Sequence, residues 1–195
     1  MARTRGGEQF QDHYAASVRH LIAIAGPIGA GKSTVAELLA RRAQSSALSV
    51  SLADLDELAF AQRADVDLDE FWRRAGHAHS ALVRGWFDAG VDLVIAHGPF
   101  FESGSYRSLF AATPDGGRFH HVLLLAPFDV ALDRVRSDPE RGATALSAQP
   151  EFLRSTHEVF ADVIQSLPQV DIEVDTSGLT ADEVADHVFA LLNLR

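Results

Sequence analysis

The sequence contains no cysteine and only one lysine among its 195 residues. Without cysteine the chain forms neither a disulfide nor a thiolate zinc site, and it offers no thiol nucleophile. No apolar run approaches the ~20 residues that a membrane-spanning helix needs. Residues 1–18 also lack the apolar core of a signal peptide. These absences predict a cytoplasmic protein that does not span a membrane.

Basic residues are also scarce, with 17 Lys and Arg against 27 Asp and Glu and a net charge of −10. This balance argues against nucleic-acid binding, because such binding needs a basic surface that replaces counterions. The one lysine is Lys32, and all other basic residues are arginine. An apolar fraction of 47% is typical of globular chains. The length predicts one domain over residues 20–195, preceded by a flexible tail over residues 1–19.

Short apolar runs alternate with amphipathic stretches along the chain. The runs predict five strands, over residues 20–25, 47–53, 91–96, 121–126 and 170–174. The stretches predict helices over residues 33–44, 69–89, 129–137, 151–167 and 181–194, the last capped by Thr180. Such alternation predicts a three-layer α/β/α fold with a parallel sheet covered on both faces. Ligands bind at the carboxyl ends of strands in such sheets, so we expect the site there.

The loop after the first predicted strand fits the phosphate-binding pattern G-x-x-x-x-G-K-[ST]. Its glycines let several backbone N–H groups point into one cavity, and the following helix N-terminus adds positive potential. Lys32 is expected to reach the β- and γ-phosphates, and the Ser33 hydroxyl to coordinate Mg²⁺. The predicted nucleotide contacts in this loop are Gly26, Gly29, Ala30, Gly31, Lys32, Ser33 and Thr34.

In this strand–loop–helix context, the loop resembles that of the P-loop kinases of small molecules and nucleotides. That group includes adenylate kinase, uridine kinase, shikimate kinase and chloramphenicol phosphotransferase. The resemblance extends over residues 20–194, with the phosphate loop as its specific motif. It implies a P-loop NTPase fold of the nucleoside and nucleotide kinase type with a short lid. It also implies ATP and Mg²⁺ as cofactors.

Two acidic residues, Asp54 and Asp56, follow the second predicted strand. In the kinases that the chain resembles, an Asp at this place accepts the substrate hydroxyl proton or holds the water of the metal. A carboxylate suits phosphoryl transfer because the attacking hydroxyl must be oriented. We favour Asp54 as the base, with Asp56 as the alternative, and we expect Asp54 and Ser33 at the metal. An acidic turn that caps the next helix is the structural alternative.

The third predicted strand runs into His97, Gly98 and Phe100. The resembling kinases often carry an acid at the position of His97, where it reaches the water shell of Mg²⁺. A neutral imidazole can accept a hydrogen bond from a metal-bound water, but it is a poorer partner for a hard cation. We expect Gly98 to allow a close approach of the chain, and His97 and Phe100 to contact the acceptor.

A small, polar stretch at about residues 138–150 is predicted to be the lid. In the resembling kinases, lid arginines contact the transferring phosphate and the first of them stacks on adenine. This implies catalytic roles for Arg134 and Arg141 and nucleotide contacts for Arg134 and Arg136, tasks that suit a planar guanidinium. The resemblance also implies that the turn at Thr176 and Gly178 contacts the edge of the adenine. Surface arginines and an ordinary turn are the structural alternatives.

The segment over residues 58–90 is expected to hold the acceptor, with Arg63, Trp72 and Arg73 as candidates, although a solvated helix face is the favoured explanation for most polar residues of this segment. The hypothesis is an ATP- and Mg²⁺-dependent phosphotransferase that acts on a hydroxyl of a small metabolite or antibiotic. A nucleoside or nucleotide kinase is the alternative within the enzymes. A nucleotide-binding regulatory module without catalysis is the alternative from another class, and His97 keeps it open.

Overall fold

Five parallel strands form the centre of the computed structural model, which describes residues 18–60, 67–100, 103–138, 146–167 and 169–194. Each strand pairs only in the parallel sense, in the order β2-β3-β1-β4-β5. The strands are β1 (His20–Ala25), β2 (Val50–Asp54), β3 (Leu93–His97), β4 (Arg118–Leu125) and β5 (Ile172–Asp175). The predicted five-stranded parallel sheet is therefore confirmed.

Seven α-helices connect or follow these strands in the described part of the chain. They are α1 (Lys32–Ser45), α2 (Leu55–Phe60), α3 (Leu68–Asp88), α4 (Ser103–Ala112), α5 (Phe128–Ser137), α6 (Pro150–Ile164) and α7 (Ala181–Leu192), with a turn of 3-10 helix at Leu146–Ala148. Of these helices, none is both long enough and apolar enough to cross a membrane.

Alternate residues of each central strand face opposite sides of the sheet, as the two-residue period of a strand requires. In β1, Ile22 and Ile24 pack with α1 and α7, whereas Leu21, Ala23 and Ala25 pack with α2, α3 and α4. Both sets are fully buried. This burial on both faces explains why the central strands are continuous apolar runs, and it gives the predicted three layers.

Two helices were absent from the sequence prediction. The short helix α2 begins directly after β2, where Asp54 accepts a hydrogen bond from the backbone N–H of Asp56. Helix α4 begins with Ser-Gly-Ser, which has low helix propensity. Burial of Tyr106, Leu109 and Ala112 on one face supplies the stability that the local sequence lacks.

The buried stripe of α3 differs from the predicted one. Helical spacing of the apolar residues in the sequence predicts a stripe of Phe71, Ala75, Ala78, Leu82, Trp86 and Phe87. Of these, the side chains of Leu82 and Trp86 are 37% and 38% exposed. The buried positions are instead Ala75, His79, Val83 and Phe87, spaced four residues apart. The prediction contained Ala75 and Phe87 of this stripe and missed His79 and Val83.

The Thr180 cap of the last helix is confirmed. The Thr180 hydroxyl accepts from the backbone N–H of Glu183, and the Glu183 carboxylate accepts from the backbone N–H of Thr180. Such a reciprocal capping box stabilises the first turn of a helix. Arg42 of α1 donates to Asp182 and Asp186 of α7, which joins the two helices that cover one face of the sheet.

A pair of histidines, His20 and His120, lies near the amino ends of β1 and β4, at the opposite edge of the sheet from the carboxyl ends of the strands. His20 Nδ1 is 3.0 Å from His120 Nε2, and the two ring planes are 7° apart. Burial, followed by the influence of His120 and Arg118, lowers the pKa of His20 to about 4 from the usual 6.5. Burial also lowers the pKa of His120, and Asp171 opposes that shift.

The free energy of unfolding should therefore decrease as the pH falls from about 6.5 to 4, because His20 binds a proton in the unfolded chain over this range and does not bind one in the folded chain. We expect H20N, which keeps an amide near the position of Nδ1, to show a shallower loss over this range. Urea unfolding at several pH values measures the slope. H187N removes an exposed histidine as the control. An unchanged slope in H20N would contradict the prediction.

Candidate active site

The loop between β1 and α1 makes a tight turn against its neighbours. Gly29 and Gly31 have φ values of +82° and +92°, the left-handed region in which glycine is favoured. A Cβ on Gly29 would lie 2.7 Å from the Cβ of Ala131 in α5. A Cβ on Gly26 would lie 2.3 Å from the carbonyl oxygen of Leu124 in β4. The loop is therefore pressed between β4 and α5, and two of its glycines are required by space.

Four consecutive carbonyl oxygens of this loop accept hydrogen bonds from side chains. The Lys32 ammonium donates to Gly26 and Pro27 at 2.9 and 3.0 Å. His157 Nε2 donates to Ile28 at 2.9 Å, since a carbonyl only accepts, and Arg134 donates to Gly29 at 3.2 Å.

Helix α1, which follows the loop, begins without a side-chain cap. The loop carbonyls before it are held by the surrounding side chains. The N-cap residue of α1 is Gly31, and the first turn of α1 contains no acidic residue. The first backbone N–H groups of a helix have no partner within it and attract anions. Ser33 and Thr34 are exposed in this turn, whereas Ala30 is buried and offers only its backbone. This arrangement suits a phosphate group.

Asp54 and His97 lie side by side at the carboxyl ends of β2 and β3. The two residues are register partners, and His97 is also the partner of Ile24 in β1. The Asp54 Oδ1 atom accepts from the Asp56 N–H at 2.8 Å, and Oδ2 lies 3.8 Å from His97 Nδ1. The structure thus brings the predicted acid and the histidine together, next to the strand that leads into the phosphate loop.

His97 is only 4% exposed, and its surroundings favour the neutral imidazole. Burial is the main cause that lowers its pKa, Lys32 and His79 lower it further, and Asp54 and Glu57 oppose the shift. His79, which the sequence analysis did not assign to the site, is also buried, and burial lowers its pKa. Its Nε2 bonds the Ala53 carbonyl at 2.8 Å and so joins α3 to the end of β2. The influence of Lys32 on His97 links the strand ends to the phosphate loop.

Arg134 is engaged by the protein rather than projecting freely. Besides Gly29, it donates to the Thr176 hydroxyl at 2.8 Å and to the Thr176 carbonyl at 2.6 Å. Thr176 is buried, and its hydroxyl lies 3.0 Å from the Leu125 carbonyl. Arg134 therefore ties the phosphate loop to the turn after β5. The expected stacking of Arg134 on adenine stays a prediction. Such stacking would use the flat face of the guanidinium, whereas the hydrogen bonds to Gly29 and Thr176 use its N–H groups.

Two more predicted nucleotide contacts lie near this turn or on α5. Gly178 belongs to the turn after β5, and a Cβ there would meet no atom within 4 Å. Arg136 lies in the last turn of α5 and is exposed. Neither residue makes a contact that assigns it a role, so both stay predictions.

Helix α6 supplies a contact with the loop that the sequence analysis did not predict. His157 bonds Ile28, as described, and its ring meets Phe128 edge to face with centroids 5.9 Å apart. The Arg154 guanidinium lies over the same Phe128 ring, 4.1 Å from its centroid, which is a cation–π distance. The spacing of Arg154 and His157, one turn apart, was the only signal of this contact in the sequence.

The expected acceptor residues have different surroundings. Phe100 is fully buried, with its ring 5.9 Å from His79 and 5.2 Å from Tyr106, so its assignment to a pocket wall is corrected to a core residue. Arg73 donates to both carboxylate oxygens of Glu70, one turn away on α3. Trp72 meets Phe71 edge to face at 5.3 Å and packs at the rim of the core.

The close approach expected at Gly98 is confirmed. A Cβ on Gly98 would lie 2.5 Å from the Cβ of Leu55, and its φ is +148°. This contact seats the start of α2 against the end of β3. It thereby helps to hold Asp54 beside His97.

Several expectations fall outside the described residues. Arg63 and Arg141 lie there, as do residues 139–145 of the predicted lid and residues 1–17 of the predicted tail. The one-domain boundary and these site roles stay predictions.

Within the described ranges, no group of three or more histidine and acidic side chains is arranged to hold a metal ion. Ser33, Asp54 and His97 are thus the candidates for a cation that arrives with a nucleotide. The exposed hydroxyl and the carboxylate suit Mg²⁺, which prefers oxygen ligands and retains several waters. The imidazole is the exception in this set.

Comparison with known protein families gives a match to this chain. A family model described as an AAA domain matches residues 22–150, which include the phosphate loop, Asp54 and His97. No curated protein sequence gives a significant match.

Solved structures with the same fold include several kinases. The tunicamycin resistance protein of Deinococcus radiodurans superposes with a TM-score of 0.60 at 19% identity, covering 91% of this chain and 97% of that one. Shikimate kinase from Acinetobacter baumannii gives 0.58 at 19%, covering 90% and 94%. The Mycobacterium tuberculosis APS kinase CysC gives 0.61 at 20%, covering 90% and 98%. At such identities the likeness establishes the P-loop kinase fold.

The two left-handed glycines of the loop give a test of its packing. G31A should cost about 1–2 kcal/mol, the strain of an L-residue in this region, because its Cβ meets no atom within 4 Å. G29A should cost more, since its Cβ also collides with Ala131. Urea unfolding measures both. Equal losses would show that the collision with α5 is relieved by movement.

The Arg134–Thr176 contact is tested by a double-mutant cycle with R134M and T176V, which keep most of the side-chain volume. Because the two side chains share a hydrogen bond, we expect a coupling of about 0.5–3 kcal/mol in unfolding free energy. Additive effects would mean that the hydrogen bond from Arg134 to the Thr176 hydroxyl does not contribute to stability; the bond to the Thr176 carbonyl is present in both backgrounds of residue 176.

Proposed function

The chain belongs to this AAA domain family, and from that premise we propose that it is an ATP-dependent phosphotransferase. It moves the γ-phosphoryl group to a hydroxyl of a small metabolite or antibiotic. One observation carries the proposal: Lys32 and the start of α1 lie beside Asp54 and His97, so an anion-binding loop adjoins acid–base groups. The kinases and the tunicamycin resistance protein of the same fold support the reaction class.

The phosphate loop has the groups that a nucleoside triphosphate requires. When bound, MgATP supplies the transferable phosphoryl group and a cation that offsets its charge. The N–H groups at the start of α1 hold the phosphates, and the Lys32 ammonium adds a point charge. The exposed Ser33 hydroxyl is the loop's oxygen ligand for the cation.

The carboxylates after β2 divide the remaining tasks. Asp54 directs Oδ2 toward His97 while Asp56 holds its other oxygen, so Asp54 suits the cation. Asp56 follows in the first turn of α2 and is left to orient the hydroxyl and accept its proton, since Asp54 is assigned to the cation. The geometry thus favours reversing the order of preference that the sequence suggested.

The acceptor is proposed to be uncharged at its reactive end. A nucleoside monophosphate would need cationic side chains for its phosphate. On α3, Arg73 and Arg74 both donate to Glu70 instead. This pairing favours a sugar-like or antibiotic alcohol over a nucleotide as the acceptor. Arg134 and Arg141 stay the candidates to contact the transferring phosphate, and Arg136 stays a candidate for a nucleotide contact.

The experiment incubates the purified protein with ATP and a divalent cation against two panels of acceptors. One panel contains sugars, polyols and antibiotic alcohols, and the other contains nucleosides and nucleoside monophosphates. Mass spectrometry detects a phosphorylated product. We expect a product in the first panel, and D56N should lower kcat by at least about 100-fold while ATP still binds.

Two comparisons of variants and one outcome of the acceptor assay separate the alternatives. K32A should abolish both ATP binding and product, because it removes the loop's ammonium. If D54N lowers kcat while ATP still binds and D56N does not lower kcat, the roles of the two carboxylates are exchanged. Tight ATP binding without a product from any acceptor would instead favour a regulatory module that has lost catalysis.

A further inference from the structure

The pair formed by Asp54 and His97 carries an inference about the cation. We propose that His97 supplies a nitrogen donor beside Asp54 to the divalent cation that binds with ATP, so that the site prefers a transition metal such as Mn²⁺ to Mg²⁺. This rests on the proposed function, because the cation is the one that accompanies the nucleotide. It goes beyond that function by assigning the ligand type and the metal preference.

The spacing of the two donors is the first argument. His97 Nδ1 and Asp54 Oδ2 are 3.8 Å apart, which is too long for a hydrogen bond. Ligands about 2.0–2.2 Å from one divalent transition metal lie about 3 Å apart at a right angle and about 4 Å apart on opposite sides, and the separation of 3.8 Å falls within that range. The pair is therefore spaced so that one cation can contact both atoms.

The position of the pair is the second argument. The Asp54–His97 register pair ends the two strands on one side of β1, and the loop after β1 carries Lys32 and Ser33. His97 is 96% buried, and it is close enough to Lys32 for that charge to act on it. The ring therefore lies at the end of the strand that neighbours the one leading into the phosphate loop.

The chemistry of the donors is the third argument. Mg²⁺ prefers an octahedral set of oxygens and keeps its waters, whereas imidazole suits transition metals. A carboxylate and an imidazole together therefore discriminate against Mg²⁺ relative to two carboxylates. Binding of the cation should also require the nucleotide, because the nearby Lys32 ammonium repels a bare cation until phosphates lie between them.

The experiment uses the full chain with Mn²⁺ and a non-hydrolysable ATP analogue. Pulsed electron paramagnetic resonance detects nitrogen coupled to the Mn²⁺ electron spin, and protein labelled with ¹⁵N only in histidine identifies the nitrogen as imidazole. Titration calorimetry compares the affinities of the Mn²⁺ and Mg²⁺ complexes. These readouts need neither catalysis nor a known acceptor.

We expect a histidine nitrogen signal in the parent protein and about tenfold tighter binding of the Mn²⁺ complex. H97Q should lose the signal and about 10–100-fold of the Mn²⁺ affinity, as removal of a ligand or its support does. H97D should shift the preference toward Mg²⁺. H77N removes an exposed histidine on α3 and should change nothing.

Circular dichroism verifies that each variant folds, and the isotope-labelled parent answers the question even if H97D does not fold. Absence of the nitrogen signal, or its persistence in H97Q, overturns the proposal. Equal affinity for the two metal complexes also overturns it. Loss of analogue binding with either metal would instead contradict the proposed function, so the two failures are distinguishable.

Discussion

The close packing of the phosphate loop between β4 and α5 is the constraint on which the site depends. Gly26 approaches the Leu124 carbonyl and Gly29 approaches Ala131 so closely that neither position accommodates a Cβ. A loop confined in this way is restricted by its contacts with β4 and α5. Its carbonyls are then held by Lys32, His157 and Arg134, which come from three different helices. The amide groups at the start of α1 are left for an anion, so the binding geometry is organised in advance.

The same strand order that buries the loop also sets its chemical neighbours. Because β3 lies between β1 and β2, the residues that end β2 and β3 meet beside the loop. Asp54 and His97 are separated by 43 positions in the sequence, yet they are register partners. Burial lowers the pKa of His97 and so favours the neutral imidazole, which can donate an electron pair, over the protonated ring, which cannot. The acid–base character of the site is therefore a result of sheet topology.

The sequence predicted the features that rest on local pattern. Apolar periodicity identified all five strands, and the glycine spacing with Lys32 identified the loop, because these signals depend on neighbouring residues alone. It missed α4, whose Ser-Gly-Ser start is stabilised only by the burial of Tyr106 and Leu109. It also assigned Phe100 to a pocket, because an aromatic residue after a strand has the same local appearance whether it packs inward or faces a ligand.

What the sequence determined by itself is the succession of the five strands along the chain, the phosphate loop and the lone lysine within it. Each of these follows from propensity, periodicity and backbone conformation over a few residues. Only the tertiary structure decided that Arg134 binds Thr176, that His157 holds Ile28 and that Asp54 faces His97. Those contacts join residues that are distant along the chain, and their formation depends on how the sheet stacks its strands. Packing in three dimensions, which no local pattern encodes, therefore turned a recognisable loop into a specific candidate site.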